Sequence, residues 1–332
     1  MASAPTHEFP SPIGGAPFPV DFAPSILFSV LHGLLIPIFV WRMARSQTRN
    51  FVLIGALAFT IERTVLYALR AHTAQNDNAR TNESLETYLQ TTLAGGFISI
   101  GMDLMQLTRA MLVNATKGSE VLASEAKSNK SKQPDCGSAS DASLPTADGF
   151  AVEGYAGLED LPRLRARIRR VGLAGTIVFW ATIILGIVSG VDYQGALHSG
   201  ANAQLVRQLW YASTVLGLVL IVGVAAGAVW ATSAIPRVPR SSVAWIVLVA
   251  ALASTVGIYR LVVMRFSTTS LLAEGPGSLN SPGSKATFYV FHSAPEYLAV
   301  AILISLNVRR VFSTGLWGDR RVRDPESPAS KA

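Results

Sequence analysis

Residues 209–231 read LWYASTVLGLVLIVGVAAGAVWA, a run that contains no charged side chain. A helix that crosses the hydrocarbon core of a bilayer needs about 20 such residues. The whole chain has the same character, because half of its 332 residues are hydrophobic and only 15% are charged, against about 25% in soluble domains. This stretch and the composition together predict an integral membrane protein.

Seven segments of this kind occur along the chain, and they predict an all-α fold: a polytopic seven-transmembrane helix bundle. Residues 22–113 hold predicted transmembrane helices 1–3, and residues 171–308 hold helices 4–7. The second segment is unusual because two ionisable residues lie inside it. The seven segments are residues 22–41, 51–70, 88–113, 171–191, 209–231, 243–264 and 288–308.

Basic residues are distributed unevenly among the connections. The first, third and fifth connections and the C-terminal tail carry 20 Lys and Arg, whereas the opposite side carries five at most. Because Lys and Arg accumulate on the cytoplasmic side of membrane proteins, we expect the N-terminus outside, the C-terminus in the cytoplasm, and residence in the plasma membrane. Asn82 then lies outside, in an Asn-Glu-Ser glycosylation sequon.

Three segments outside the predicted helices are polar or basic. Residues 1–21 contain no Lys or Arg and predict a disordered extracellular tail. Residues 114–170 predict a largely disordered cytoplasmic loop that ends in a basic amphipathic helix over 161–170. Residues 309–332 form a basic cytoplasmic tail, in which 311–317 is a second amphipathic candidate.

Five ionisable side chains lie inside the predicted helices. Each costs about 2.5–3.5 kcal/mol at the bilayer centre, so we expect these groups to face the bundle interior and pair there. A rise of about 1.5 Å per residue places four of them, together with His292, in one cavity in the outer half of the membrane. The same estimate places Asp103 and Asn307 closer to the cytoplasm. The cavity residues are Glu62, Arg63, Arg260, His292 and Glu296.

This arrangement leads to a specific pairing hypothesis. Arg63 or Arg260 is expected to pair with Glu296, with His292 beside them. Glu62 lies about 100° around the helix from Arg63 and is therefore expected to take a different partner. The cluster either forms a ligand pocket or only fixes the register of the helices, and the sequence leaves both interpretations open.

Several classes of protein lack their sequence signals here. The single cysteine, Cys136, excludes an intrachain disulfide. No Cys/His spacing typical of a metal site and no phosphate-binding loop occurs, so we expect no metal, no cofactor, no nucleic-acid partner and no catalytic residue. Retinal chemistry needs a lysine within a helix, and no predicted helix has one. An intramembrane enzyme that uses His32, His292 and Glu296 as ligands stays an alternative.

Four residue strings resemble fungal seven-transmembrane proteins labelled family-C-like G-protein-coupled receptors. The strings are Val-Leu-Ile-Gly at 52–55 leading to Ile-Glu-Arg at 61–63, Tyr-Leu-Gln-Thr-Thr at 88–92, Phe-His-Ser-Ala-Pro-Glu at 291–296 and Leu-Trp-Gly-Asp at 316–319. A looser similarity, at Glu62 and at Tyr259-Arg260, relates the chain to fungal lipid-translocating exporters. The rhodopsin-like hallmarks are absent, since Leu-Thr-Arg-Ala stands at 107–110 and Asn-Val-Arg at 307–309.

These resemblances imply two functions. The first is a receptor-like protein that senses an unknown small molecule through the polar cavity and contacts a cytoplasmic signalling protein. The alternative is a membrane transporter or lipid-handling protein, which would be proton-linked if Glu296 is unpaired. Both functions imply contact with membrane lipids.

Overall fold

The computed structural model describes residues 7–118, 121, 159–235, 237–275 and 277–319. Within these ranges the chain is mostly helical, which confirms the predicted all-α class. The last long helix includes a π-helical turn, Tyr289–Ser293. The long helices are α1 (Phe22–Ala44), α2 (Ile54–Ala74), α3 (Glu83–Ala115), α4 (Pro162–Val191), α5 (Gly200–Ala234), α6 (Arg240–Val263) and α7 (Pro282–Ser305).

Six of these helices are long and apolar enough to cross a membrane, which identifies an integral membrane protein. The exception is α3, which carries Glu83, Glu86, Asp103 and Arg109. It lies in the middle of the bundle, in contact with α2, α4, α5, α6 and α7. A helix enclosed by protein needs fewer apolar residues than one that faces lipid, so its position explains its lower hydropathy.

The exposed apolar side chains are concentrated on the outer surfaces of the other helices. Ile177, Ile184, Val219 and Trp230 are each more than half exposed, whereas Leu93, Phe97 and Leu104 of α3 are fully buried. A polar solvent would disfavour this distribution, and a lipid environment accommodates it. The exposure pattern therefore agrees with the composition of the helices.

Residues 7–21, which we call the N-terminal segment, correct the prediction of a disordered tail. Phe9–Pro10 pairs with Ser267–Thr268 as a short antiparallel ladder. Gln90 of α3 holds Ile13 through both backbone groups, at 2.9 and 3.4 Å. The segment is ordered because its backbone groups find partners on the bundle and its side chains are largely buried. Residues 1–6 lie outside the described part.

The basic stretch 161–170 also differs from its prediction. It is not a separate amphipathic helix, because α4 begins at Pro162 and continues without interruption to Val191. Arg165 and Arg169 face inward and are only 3% exposed. Arg165 is paired with Asp160, and Arg169 is paired with Asp319. These ion pairs hold the first two turns of α4 against the bundle. Most of the loop predicted to be disordered, 122–158, lies outside the described residues.

Residues 307–319, the C-terminal segment, fold across the opposite end of the bundle. Only Val308–Val311 is helical, so the second amphipathic candidate is not a helix over its length. Phe51 donates its backbone N–H to the Leu316 carbonyl at 2.8 Å, and its ring stacks on Trp317 with centroids 4.3 Å apart. Both ends of the bundle are therefore covered by folded chain. Residues 320–332 lie outside the described part.

The π turn in α7 has a local cause. Pro295 has no N–H to donate within the helix, and the N–H of Ala294 bonds the Tyr289 carbonyl five residues back. The turn is thus widened directly before the proline. It places His292 and Ser293, both fully buried, against the neighbouring helices.

Candidate functional site

A bidentate ion pair joins α2 to α7 inside the bundle. Arg63 Nε donates to Glu296 Oε2 at 2.8 Å, and Arg63 Nη2 donates to Glu296 Oε1 at 2.9 Å. Both side chains are completely buried. This confirms one of the two pairings expected from the sequence and selects Arg63 over Arg260. Two parallel charge-assisted bonds fix the relative position of the two helices.

The remaining donor of Arg63 corrects the expectation for Glu62. Arg63 Nη1 donates to Glu62 Oε2 at 2.8 Å and to the Thr92 carbonyl of α3 at 3.1 Å. Glu62 therefore pairs with its neighbour in sequence, although the two Cα–Cβ bonds diverge. The length and flexibility of both side chains allow this, and Glu62 remains 29% exposed at the edge of the bundle.

The pair depends on a close approach of α3. Gly96 lies directly against it, and a Cβ added at this position would overlap both Arg63 Nη2 and Glu296 Oε1. The neighbouring Gly95 has no heavy atom within 4 Å of the corresponding position. The two adjacent glycines thus have different roles, and only Gly96 makes room for the ion pair.

Arg260 of α6 is fully buried and is held by neutral groups. Its Nη1 donates to the Leu93 carbonyl at 2.6 Å and its Nε donates to Thr214 Oγ1 at 3.3 Å. Its Nη2 has no hydrogen-bond partner. No ion pair links Arg260 to a carboxylate of the described residues. The structure therefore brings Arg260 near the Arg63–Glu296 pair without making it a member.

Two histidines lie beside the pair in largely aromatic surroundings. His292 Nδ1 is 4.0 Å from Glu296 Oε2, and its ring packs edge-on to Tyr259 with centroids 5.9 Å apart. His32 of α1 stacks on Tyr67 and meets Tyr297 edge-on. None of the four ring nitrogens has a hydrogen-bond partner.

Two hydroxyl groups lie in the same surroundings. Tyr67 Oη and Ser293 Oγ are buried and close to each other, and neither has another hydrogen-bond partner. Buried polar groups are normally bonded to protein or ordered water, and a concentration of unbonded ones marks a polar site that can accept another molecule. We call this set the polar cluster: Glu62, Arg63, Arg260, His292 and Glu296, with His32, Tyr67 and Ser293.

The two deeper polar residues have other roles. Asp103 lies against the first turn of α2, beside the backbone of Gly55 and Ala56. Asn307 Oδ1 accepts the N–H of Arg310 at 3.3 Å and caps the helical turn Val308–Val311. Neither residue makes a hydrogen bond or ion pair with the polar cluster in the described part of the chain.

Asn82, the residue of the predicted glycosylation sequon, is exposed and begins α3. Its side-chain oxygen accepts the N–H of Leu85 at 3.1 Å. It is therefore the N-cap of the central helix. A glycan on the side-chain nitrogen would have to be accommodated beside this cap.

A second buried ionic group, which the sequence analysis missed, lies beneath the N-terminal segment. Asp21 contacts Lys285 Nζ at 2.8 Å, Tyr289 Oη at 2.9 Å and Arg70 Nη2 at 3.3 Å. Arg70 and Lys285 also donate to backbone carbonyls of Gly14 at 3.0 Å each. The sequence places these charges at the predicted membrane boundary, and only the folded segment shows that they are buried.

Tyr193, in the short connection between α4 and α5, fixes the same segment from the other side. Its hydroxyl donates to the Pro10 carbonyl at 2.9 Å. Burial and the nearby Glu86 carboxylate raise the pKa of this hydroxyl above its usual range, so the group remains protonated and keeps its role as a donor. The N-terminal segment is thus attached to α2, α3, α7 and this connection.

A third ionic group holds the C-terminal segment. Asp319 lies 3.0 Å from Arg169 Nε of α4 and 3.5 Å from Arg109 Nε of α3. On the same face, Asn50 donates to Thr314 at 2.6 Å. Arg109 is therefore not a counterion for the polar cluster but belongs to this end of the bundle.

The described residues contain no group of three or more His, Cys, Asp or Glu side chains arranged to hold a metal ion. Comparison of the chain with protein-family models, with curated proteins and with solved structures found no match. The chemistry of the polar cluster itself, in which Arg63 engages two carboxylates and Arg260 engages none within the described residues, is therefore the basis for assigning a function.

Proposed function

We propose that this chain is a seven-helix, receptor-like membrane protein that senses a small molecule through the polar cluster. In this proposal α3 crosses the membrane together with the six apolar helices, the N-terminal segment lies outside, and the C-terminal segment lies in the cytoplasm. The distribution of Lys and Arg supports this orientation.

The observation that carries the proposal is the Arg63–Glu296 pair, next to the π turn of α7. Ionisable groups inside a membrane protein are retained mainly for function, and π turns are frequent at functional sites. The adjoining ring nitrogens of His292 provide hydrogen-bonding capacity that nothing in the described chain uses. A ligand that engages them would alter the position of α7 relative to α2.

The continuity of α7 supplies a route from the cluster to the other end of the bundle. Glu296 lies in the same helical run as Ser305, and the C-terminal segment follows directly. That segment contacts the starts of α2 and α4 and the end of α3 through Trp317 and Asp319. A shift of α7 would therefore change contacts on the face proposed to meet a cytoplasmic signalling protein.

A transporter receives less support from the same geometry. Transport needs a polar path with access from both sides. Of the residues expected to extend such a path, Asp103 lies against the first turn of α2 and Asn307 caps a helical turn. The pairing of Glu296 with Arg63 also removes the reason for expecting a free, protonated carboxyl group. Folded segments cover both ends of the bundle.

The test uses the full chain in lipid nanodiscs with a purified heterotrimeric G protein. Glu296→Gln removes the ion pair but keeps the shape of the side chain, so we expect it to change the rate of nucleotide exchange on the G-protein α-subunit relative to the wild type. Gly223→Ala, on the outer face of α5, is the matched control and should match the wild type. If neither wild type nor Glu296→Gln affects exchange, the proposal is wrong.

A further inference from the structure

We infer that Arg260 holds a small monovalent anion inside the bundle, bound through one acceptor atom as chloride would be. This site belongs to the same polar cluster as the proposed function. It can be tested independently of that function, because anion binding can be measured with no signalling partner present. It depends on how Arg260 differs from Arg63.

None of the groups in the described chain that are hydrogen-bonded to Arg260 carries a negative charge. The guanidinium is completely buried, and its bonded partners are the neutral Leu93 carbonyl and Thr214 hydroxyl. Glu296 and Arg63 both lie within electrostatic range of it. Both oxygens of Glu296 are already bound by Arg63, whose Nη1 is paired with the partly exposed Glu62, so neither carboxylate is bound to Arg260. A buried charge without a directly bound counter-ion is strongly unfavourable.

The free donor of Arg260 has a defined position. Arg63 binds its carboxylate through the edge formed by Nε and Nη2. In Arg260 the same edge is half occupied, because Nε donates to Thr214 while Nη2 has no partner. With Nε engaged, this edge offers the Nη2 group alone, which suits one acceptor atom rather than the two oxygens of a bidentate carboxylate.

A neighbouring histidine adds a donor. His292, which lies within electrostatic range of Arg260, has two unbonded ring nitrogens, one of which carries a hydrogen in the neutral imidazole. An unbonded donor beside a guanidinium favours an anion over a cation.

Two measurements on the purified full chain test the inference. The first is equilibrium dialysis with radioactive chloride, for which we expect saturable binding of one chloride per chain. The second is thermal unfolding in sodium chloride, sodium acetate or sodium gluconate at matched ionic strength. Gluconate is too large for an enclosed site, so chloride should raise Tm by about 2–4 °C relative to gluconate.

Variants separate the site from general salt effects. Arg260→Gln should abolish chloride binding and the Tm difference. Arg165→Gln is the matched control, because Arg165 is also a buried arginine but is paired with Asp160, and it should retain both. Thr214→Val removes the acceptor of Arg260 Nε, so Nε and Nη2 can both donate to one carboxylate. Acetate should therefore bind about tenfold tighter or more than in the wild type.

The outcomes are distinct. Chloride binding that Arg260→Gln abolishes, or an acetate gain in Thr214→Val, supports the site. No saturable chloride binding by the wild type, or equal binding by a folded Arg260→Gln, shows that Nη2 meets only water and overturns the inference. A protein that binds chloride but does not affect a G protein would contradict the proposed function alone.

Discussion

At the scale of single residues, Arg63 and Arg260 show two ways in which a helix bundle accommodates a buried positive charge. Arg63 has a partner for each of its three nitrogens, two carboxylates and one backbone carbonyl. Arg260 has only neutral partners. Because removing one partner of a buried pair leaves the other charge uncompensated, the two residues should respond differently when Glu296 is replaced.

This difference gives a prediction for a double-mutant cycle. Glu296→Gln and Arg63→Gln should each lower the free energy of unfolding by about 3–5 kcal/mol. The double variant should lose less than the sum, because it leaves neither member of the fully buried Arg63–Glu296 pair without its partner. Unfolding in detergent, followed by helical circular dichroism, measures this coupling.

The matching cycle with Arg260→Gln and Glu296→Gln is the control. Its coupling energy should be clearly smaller, since no ion pair joins these side chains. Equal coupling in the two cycles would contradict the assignment of Glu296 to Arg63.

At the scale of elements, glycines determine how closely α3 can approach its neighbours. Gly186 and Gly190 of α4 lie against Ala94 and Thr91 of α3, so their Gly-x-x-x-Gly spacing marks a helix contact. Gly223 and Gly227 of α5 have the same spacing but no heavy atom within 4 Å of an added Cβ. Identical motifs thus occupy different environments.

A pair of substitutions tests this distinction. Gly190→Ala should destabilise the protein by about 1–3 kcal/mol, because a Cβ would overlap the Thr91 backbone. Gly223→Ala should stay within about 0.5 kcal/mol of the wild type. The measurement is thermal unfolding of both variants in the same detergent. A larger loss for Gly223→Ala would show that α5 is packed against something at this face.

These elements also show how far sequence could predict the structure. Hydropathy predicts the positions of the long helices, because apolar side chains occur along the length of each. The cost of intramembrane charge predicts the pairing of Glu296 with an arginine. Neither argument finds the contacts of Asp21, Arg70 and Lys285, because these depend on how a short polar segment folds over the bundle. Hydropathy likewise could not show that Arg165 and Arg169 turn inward toward Asp160 and Asp319.

At the scale of the whole molecule, the proposed orientation in the membrane rests on the distribution of basic residues, and the sole cysteine offers a direct test. We expect a membrane-impermeant maleimide to label Cys136 in cells only after permeabilisation. In a Cys136→Ser background, Glu274→Cys should be labelled in intact cells, because Glu274 is exposed in the connection between α6 and α7. Labelling of Cys136 in intact cells would reverse the orientation.

Helix α7 runs from the polar cluster to the C-terminal segment. Glu296 is tied to α2 by Arg63, and the segment that follows α7 is held on α2, α3 and α4 by Trp317 and Asp319. If α7 transmits a change, then weakening the Arg63–Glu296 contact should also loosen the C-terminal segment. A variant that is destabilised elsewhere in the bundle should not loosen it.

Hydrogen–deuterium exchange of residues 307–319, compared in nanodiscs between wild type and Glu296→Gln, tests this coupling most directly. Gly190→Ala, which disturbs the α3–α4 contact, is the control for general destabilisation. We predict faster exchange of this segment in Glu296→Gln and wild-type exchange in Gly190→Ala. Unchanged exchange in Glu296→Gln, or the same increase in both variants, would contradict the coupling of the polar cluster to the C-terminal segment.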